Sequence, residues 1–257
     1  MRKNGEKFRA NRSGQLFIIA ALAIAILISS TTLYVYQLAN ETSIVEDSQI
    51  VDLILLLKEN TRNAVMSSLV NISNGGEKPV LTSNLNELSD VFRTLHRFGI
   101  YQLDFSVLND STYDSGTWLS WDQDGTGVSS AYANFTLRVT SMTTNVTTSY
   151  AVNVTTTVTM SGYYINLLGG EKLMNLTCKV YNEGEPALAK NISLFYEQLG
   201  SWIPVDSSND LSIMDYGNGT YTVSFTAINL SIPVHISAHV YDLRQIFVRA
   251  NATCDQA

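Results

Sequence analysis

The run TTNVTTSYAVNVTTTVTM, residues 143–160, decides how the second half of the chain is to be read. Its Thr content fits a mucin-like spacer, yet Val152, Val154, Val158 and Met160 alternate with Asn153, Thr155, Thr157 and Thr159. A period of two puts those apolar side chains on one face of an extended backbone, so the run predicts a half-buried strand. The same alternation precedes it, in Tyr101, Leu103, Phe105 and Val107 and again in Phe135, Leu137 and Val139. It also follows it. Leu176, Cys178 and Val180 form one inward set, followed by Ile192, Leu194 and Tyr196, by Tyr221, Val223 and Phe225, by Ile232, Val234, Ile236, Ala238 and Val240, and by Ile246, Val248, Ala250, Ala252 and Cys254.

Ahead of residue 100 the period is helical. Ile44, Val51, Ile54, Leu55, Leu57, Val65, Met66, Leu69 and Ile72 recur at steps of three and four, until Asn74-Gly75-Gly76 and Pro79 break the pattern. A second helix carries the stripe Leu85, Leu88, Val91, Phe92, Leu95 and Phe98, with Asn84 and Glu87 in cap positions and Gly99 at its end. Further upstream, Ser13 to Asn40 is uncharged and Leu16 to Ile28 wholly apolar. About 20 such residues cross a bilayer as helix. Arg2, Lys3, Lys7, Arg9 and Arg12 against Glu6 predict a cytoplasmic N-terminus by the positive-inside bias. A secretory signal peptide cut near Ser30 or Ala39 and an uncut signal anchor are the alternatives.

The formal net charge is -7; the first 14 residues hold five basic and one acidic residue, leaving 11 basic against 22 acidic beyond them. An anionic body argues against nucleic acid as a partner, which needs clustered Lys and Arg. Beyond the apolar stretch, eleven Asn-x-Ser/Thr triplets begin at Asn40, Asn71, Asn109, Asn134, Asn145, Asn153, Asn175, Asn191, Asn218, Asn229 and Asn251. Chance would place about four, so the excess predicts N-glycosylation. Accidental triplets in Thr- and Asn-rich strands are the plainer reading.

Two resemblances attach to these residues. Basic residues, then Ser13-Gly14-Gln15, then an apolar helix running into a stalk resemble the class III signal segment of archaeal type IV pilin-like proteins. That likeness implies a cut between Gly14 and Gln15 and an apolar helix that packs as a filament core. Ser13, where a basic residue often stands, and the lack of an early acidic residue depart from the pattern. Some seven strands in the last 90 or so residues have the rhythm of an immunoglobulin-like sandwich. Asp215 to Val223, with Gly217, Gly219 and Tyr221-Thr222-Val223, resembles the hairpin of filamin-type immunoglobulin-like repeats. It implies a binding or spacer module with no catalytic residues.

Chemistry is sparse. His235 and His239 lie four residues apart on a strand, about 13 Å, whereas zinc needs both nitrogens at about 2 Å. They read as a polar strand face, and His96 as the polar side of the second helix. Asp122 and Asp124, in Asp122-Gln123-Asp124-Gly125, are an incomplete calcium set, since Ala133 stands where the loop needs its Glu. Trp118 and Trp121 beside them offer an aromatic patch for sugar, or packing over the sheet. No Gly-x-Ser-x-Gly elbow or phosphate loop occurs, so neither an enzyme nor a cofactor is predicted. Cys178 and Cys254 predict a disulfide closing a loop of about 77 residues, worth about 4 kcal/mol on a chain-entropy estimate; two buried thiols are the alternative.

The sequence thus predicts an α+β chain: a basic cytoplasmic leader (1–14), a transmembrane helix (15–38), a helical stalk and second helix (39–99), a pilin-like antiparallel β region (100–162) and an immunoglobulin-like β-sandwich (163–257). The expected role is structural or adhesive: a single-pass, glycosylated surface protein of the cell membrane, with its C-terminal domains extracellular, alone or as a pilin-like filament subunit. Candidate partners are membrane lipid, pilin-like subunits or surface-layer components, and carbohydrate. The alternative is a sensory or solute-binding ectodomain acting through a partner membrane complex.

Overall fold

The computed structural model describes residues 31–32, 51–94, 100–140, 145–228 and 232–257, without the side chains of Asp122 and Gln123. The chain divides into two units, Met1–Leu57 and Lys58–Ala257. In the first, residues 31–32 and 51–57 are helical.

The second unit opens with the remainder of helix α1 (51–73), turns at Asn74-Gly75 as expected, and continues in α2 (Val80–Thr94). Twelve strands follow: β1 (Ile100–Val107), β2 (Thr117–Gln123), β3 (Thr126–Thr140), β4 (Asn145–Asn166), β5 (Glu171–Asn182), β6 (Glu185–Pro186), β7 (Ala189–Gln198), β8 (Ser201–Pro204), β9 (Ser212–Asp215), β10 (Thr220–Ile228), β11 (Val234–Asp242) and β12 (Phe247–Gln256).

The organising element is β4. Every even-numbered residue from Val152 to Met160 is buried, so the period of two seen in the sequence runs on without a slip. Its first part pairs with β3, from Thr126↔Thr159 to Thr140↔Asn145, and its second part with β5, from Thr156↔Asn182 to Asn166↔Lys172. β3 is shared in turn: β2 pairs with its start and β1 with its end. Beyond β5 lie β10 and β9; a second row, β8-β7-β11-β12, joins the first where Asp255 and Gln256 pair in parallel with Tyr163 and Tyr164. Tyr196 of β7 stacks on Phe225 of β10 at 6.3 Å between the two rows. Gly162 lets β4 and β5 close, because a Cβ there would meet the Asn175 carbonyl and Leu176.

These pairings correct the expected α+β class. The unit is mostly β, and its strands form one hydrogen-bonded network in place of a small sheet followed by a separate immunoglobulin-like sandwich. Strand period tells which face is inward but not which strand lies alongside, and β5 takes β4 as its neighbour along nearly its whole length. Nor does α1 rise as a stalk over its residues 58–73. Val65, Leu69 and Ile72 are buried, Thr61 Oγ1 lies 3.1 Å from Tyr150 Oη, and the Phe247 amide donates to Ser73 Oγ. Helix α2 starts directly after Pro79, so Asn84 sits inside it and donates to Ser68 Oγ; it is not a cap. Leu81, Leu85 and Phe92 of α2 are buried, each contributing about 1.5–3 kcal/mol.

The transmembrane helix and the single-pass membrane location are corrected as well: among the described residues, no helix is long and apolar enough to cross a membrane. Residues 15–38, apart from Thr31 and Thr32, and the cut between Gly14 and Gln15 lie outside the described residues.

Candidate functional site

Two polar clusters form on β11 and β12, one at their connecting turn and one on their outer face.

At the turn, Asp242 is fully buried and its carboxylate accepts four hydrogen bonds: Oδ1 from the Arg244 and Ile246 amides, both at 2.9 Å, and Oδ2 from Thr156 Oγ1 at 2.9 Å and Arg244 Nε at 2.8 Å. Arg244 reaches on to Glu183 Oε1 at 2.7 Å and to the Thr155 carbonyl at 3.1 Å. This clasp ties the β11–β12 turn to β4 and to the β5–β6 turn.

On the outer face the ladder sets polar side chains in rows. Phe195, Ser237 and Asn251 stand opposite one another across β7, β11 and β12, and Ser193, His239 and Arg249 form the next row. The β2–β3 hairpin folds over the β12 edge. Gly127 allows this, since a Cβ there would collide with the Arg249 carbonyl. The Gly125 amide donates to the Asn251 carbonyl at 2.6 Å, Ser129 Oγ donates to the Phe247 carbonyl at 2.7 Å, and Trp121 packs edge-on against Phe247 at 5.1 Å. The Arg249 guanidinium lies 5.8 Å from the Trp121 ring centre.

The outcome is a cavity of about 260 Å³ lined by Phe195, Trp202, Ser237, His239, Arg249 and Asn251. A second depression, of about 400 Å³, shares Trp202 and Asn251 with it and brings in Asp124, Glu197 and His235. Together they make one groove, with Trp202, 45% exposed, at the junction. Ser237 is 2% exposed, and its Oγ, like Asn251 Oδ1, is closed off without a hydrogen-bond partner among the described residues. Such atoms are rare in native proteins, because an unmet buried polar group costs about 1–3 kcal/mol. Burial, and then the Arg249 charge, lower the pKa of His239, so its ring is neutral at pH 7.

The sequence reading of His235, Ser237 and His239 as a polar strand face holds in direction but not in exposure. The hairpin and Trp202 turn that face into a groove, and Ser237 is buried there. Among the described residues no group of three His, Cys, Asp or Glu is placed to hold a metal. Of the calcium candidates, Asp122 has its side chain outside the described set, and Asp124 Oδ1 accepts from the Thr253 amide at 3.2 Å. Trp118 packs against Tyr113 at 6.0 Å, away from the groove; Trp121 helps build its wall.

Cys178 and Cys254 are both buried and free, so the expected bridge is absent from this structure. Strand β4 lies between β5 and β12, separating the two cysteine backbones by about 10 Å, beyond the roughly 7 Å that a disulfide spans. Burial pushes the Cys178 thiol up to about 12; burial, with the Asp255 and Asp124 charges, pushes Cys254 to about 11.

Asn71, Asn109, Asn134, Asn145, Asn153, Asn191 and Asn218 are exposed. Asn175 and Asn251 are half-buried, and Asn40 and Asn229 lie outside the described residues. Sequence reasoning did not single out Asp242, Arg244, Glu183 or Trp202. Asp242-Leu243-Arg244 between two alternating runs was the available signal, but it marks only a turn. No protein-family model matches the chain, and no curated protein matches it in sequence.

Proposed function

We propose that this chain is a non-catalytic adhesive module, glycosylated on its exposed Asn-x-Ser/Thr triplets, that holds its target in the groove across β7, β8, β11 and β12. The observation that carries this reading is the cavity of about 260 Å³ walled by Phe195 and the exposed Trp202 and lined by His239, Arg249 and Asn251. A concave, partly aromatic cleft with a few polar side chains is the usual form of a binding site. The ladder fixes these side chains across three paired strands, so little ordering is needed on binding. Seven exposed acceptor asparagines support the glycosylated part of the reading.

Beads coated with the full chain, presented to immobilised polysaccharide, protein and anionic polymer, test the adhesive role. Retention on at least one surface, reduced about tenfold by Trp202→Ala at unchanged circular dichroism, is expected. Retention indifferent to Trp202 and Asn251 substitutions would overturn it. Glycopeptide mass spectrometry tests the modification, and a bare peptide at all seven exposed sites would refute it.

A further inference from the structure

We infer that the depression beside Trp202 takes an arginine side chain of a basic peptide, held between the Trp202 ring and the Glu197 carboxylate. This rests on the adhesive reading above and deepens it by naming the ligand class.

Glu197 of β7 and Trp202 of β8 are cross-strand partners, so their side chains leave the sheet about 5 Å apart on one face. Both line the depression of about 400 Å³, together with Asp124 and His235. Trp202 is exposed, so its ring is open to a ligand. Neither carboxylate belongs to any of the ion pairs among the described residues. Asp124 is nonetheless fixed in place, because its Oδ1 accepts the Thr253 amide and its backbone bridges to Asn251. Carboxylates on an anionic chain are ordinarily just solvated. These two share a concave site with an exposed indole, and that combination favours a cation twice over, by charge and by the ring's negative face.

The spacing selects the kind of cation. Asp124 adjoins β12 and Glu197 lies on β7, with β11 between them, a separation of two strand spacings or about 10 Å. A divalent metal holds its oxygens at about 2.0–2.6 Å and cannot join them. An organic cation remains. A guanidinium is planar, presents a fork of N–H donors that matches a carboxylate, and stacks on an aromatic ring. Glu197 beside Trp202 meets both demands of that one group, whereas an ammonium would use the carboxylate and leave the stacking face idle. In an extended peptide, side chains two residues apart share a face about 7 Å apart. A second arginine at that spacing reaches Asp124 through its own flexible stem. The Arg249 guanidinium, over the Trp121 ring in the adjoining cavity, sets the opposite sign of charge there and keeps the basic side chains to the Glu197 end.

The test is isothermal titration of the full chain at low ionic strength, where exposed charges are least screened. The probes are the peptide acetyl-Arg-Gly-Arg-amide and its lysine and citrulline counterparts, citrulline having the arginine shape without the charge. The arginine peptide is expected to bind saturably, and the citrulline peptide about fivefold or more weakly. Lysine should fall between them. Glu197→Gln and Trp202→Leu should each weaken the arginine peptide about fivefold at unchanged melting temperature. Asp124→Asn, which can still accept the Thr253 amide, should erase the advantage of two arginines over one. A merely structural Glu197 would lower the melting temperature and leave the discrimination between arginine and citrulline unchanged. No saturable binding of the arginine peptide overturns the inference, as does equal binding of the lysine or citrulline peptide, or binding that survives both the Glu197 and Trp202 substitutions. The bead assay fails independently: Trp202-dependent retention without arginine binding refutes this inference alone, and arginine binding without retention on any surface refutes the adhesive role alone.

Discussion

The turn of β11 and β12 and their outer face both gather charged and polar side chains, and they resolve the cost of doing so in opposite ways. At the turn, every oxygen of the Asp242 carboxylate has two donors, and Arg244 spreads its guanidinium over Asp242, Glu183 and β4. On the face, Ser237 Oγ and Asn251 Oδ1 are shut away from solvent and make no hydrogen bond among the described residues. A closed network fixes strands; unmet buried groups are a cost that the fold carries. The turn cluster draws Thr156 and Glu183 from other elements to complete its network, whereas the face does not complete its own.

The largest expected effect lies in the clasp. Arg244→Ala leaves Asp242 buried without its cation, and removal of one partner of a buried pair costs about 3–5 kcal/mol. Urea unfolding measures it, and a loss below about 1 kcal/mol would mean that the clasp does not fix the turn. Ser237→Ala works in the other direction. Removing a hydroxyl that has no partner should leave the fold unchanged or stabilise it by up to about 1 kcal/mol. A destabilised variant would show that the hydroxyl does have a structural partner, and the contrast between the two clusters would collapse.

Acid probes the same contrast. The pKa of His239 is lowered from 6.5 in the folded chain, so the unfolded state binds its proton first as pH falls. Stability is therefore full above about pH 6.5 and declines below it until the folded imidazole also protonates. His239→Gln should flatten that part of the profile, and an unchanged slope would place the titration elsewhere. The smallest effect concerns the thiols. Cys178 and Cys254 should stay unmodified by a thiol reagent at pH 8 until the chain unfolds, and an unreduced peptide map should show no link between them.

How far these features could be read from residues alone follows from the range of the interactions. The inward face of β4 was legible because alternation is local, and Thr156 falls in phase with Val154 and Val158. The turn at Asp215 to Thr220 was legible for the same reason: Gly217 and Gly219 both take positive φ there, and Tyr221 pairs with Asp215. The clasp was not, since Arg244 meets Glu183 across 61 residues of chain and Thr156 across 88. The groove was half legible. Alternation put His235, Ser237 and His239 on the outer side, but only the tertiary fold brings the β2–β3 hairpin and Trp202 over them. The cysteine pairing failed because alternation reports that two thiols face inward and says nothing of the strand that stands between them.

The dual partnership of β4 has a calorimetric consequence. A strand whose first part is hydrogen-bonded to β3 and whose second part is bonded to β5 cannot release one set of neighbours while keeping the other well ordered. Lys58–Ala257 should therefore melt in a single endotherm, with van't Hoff and calorimetric enthalpies in agreement, and no temperature should exist at which one half is molten beside an intact other.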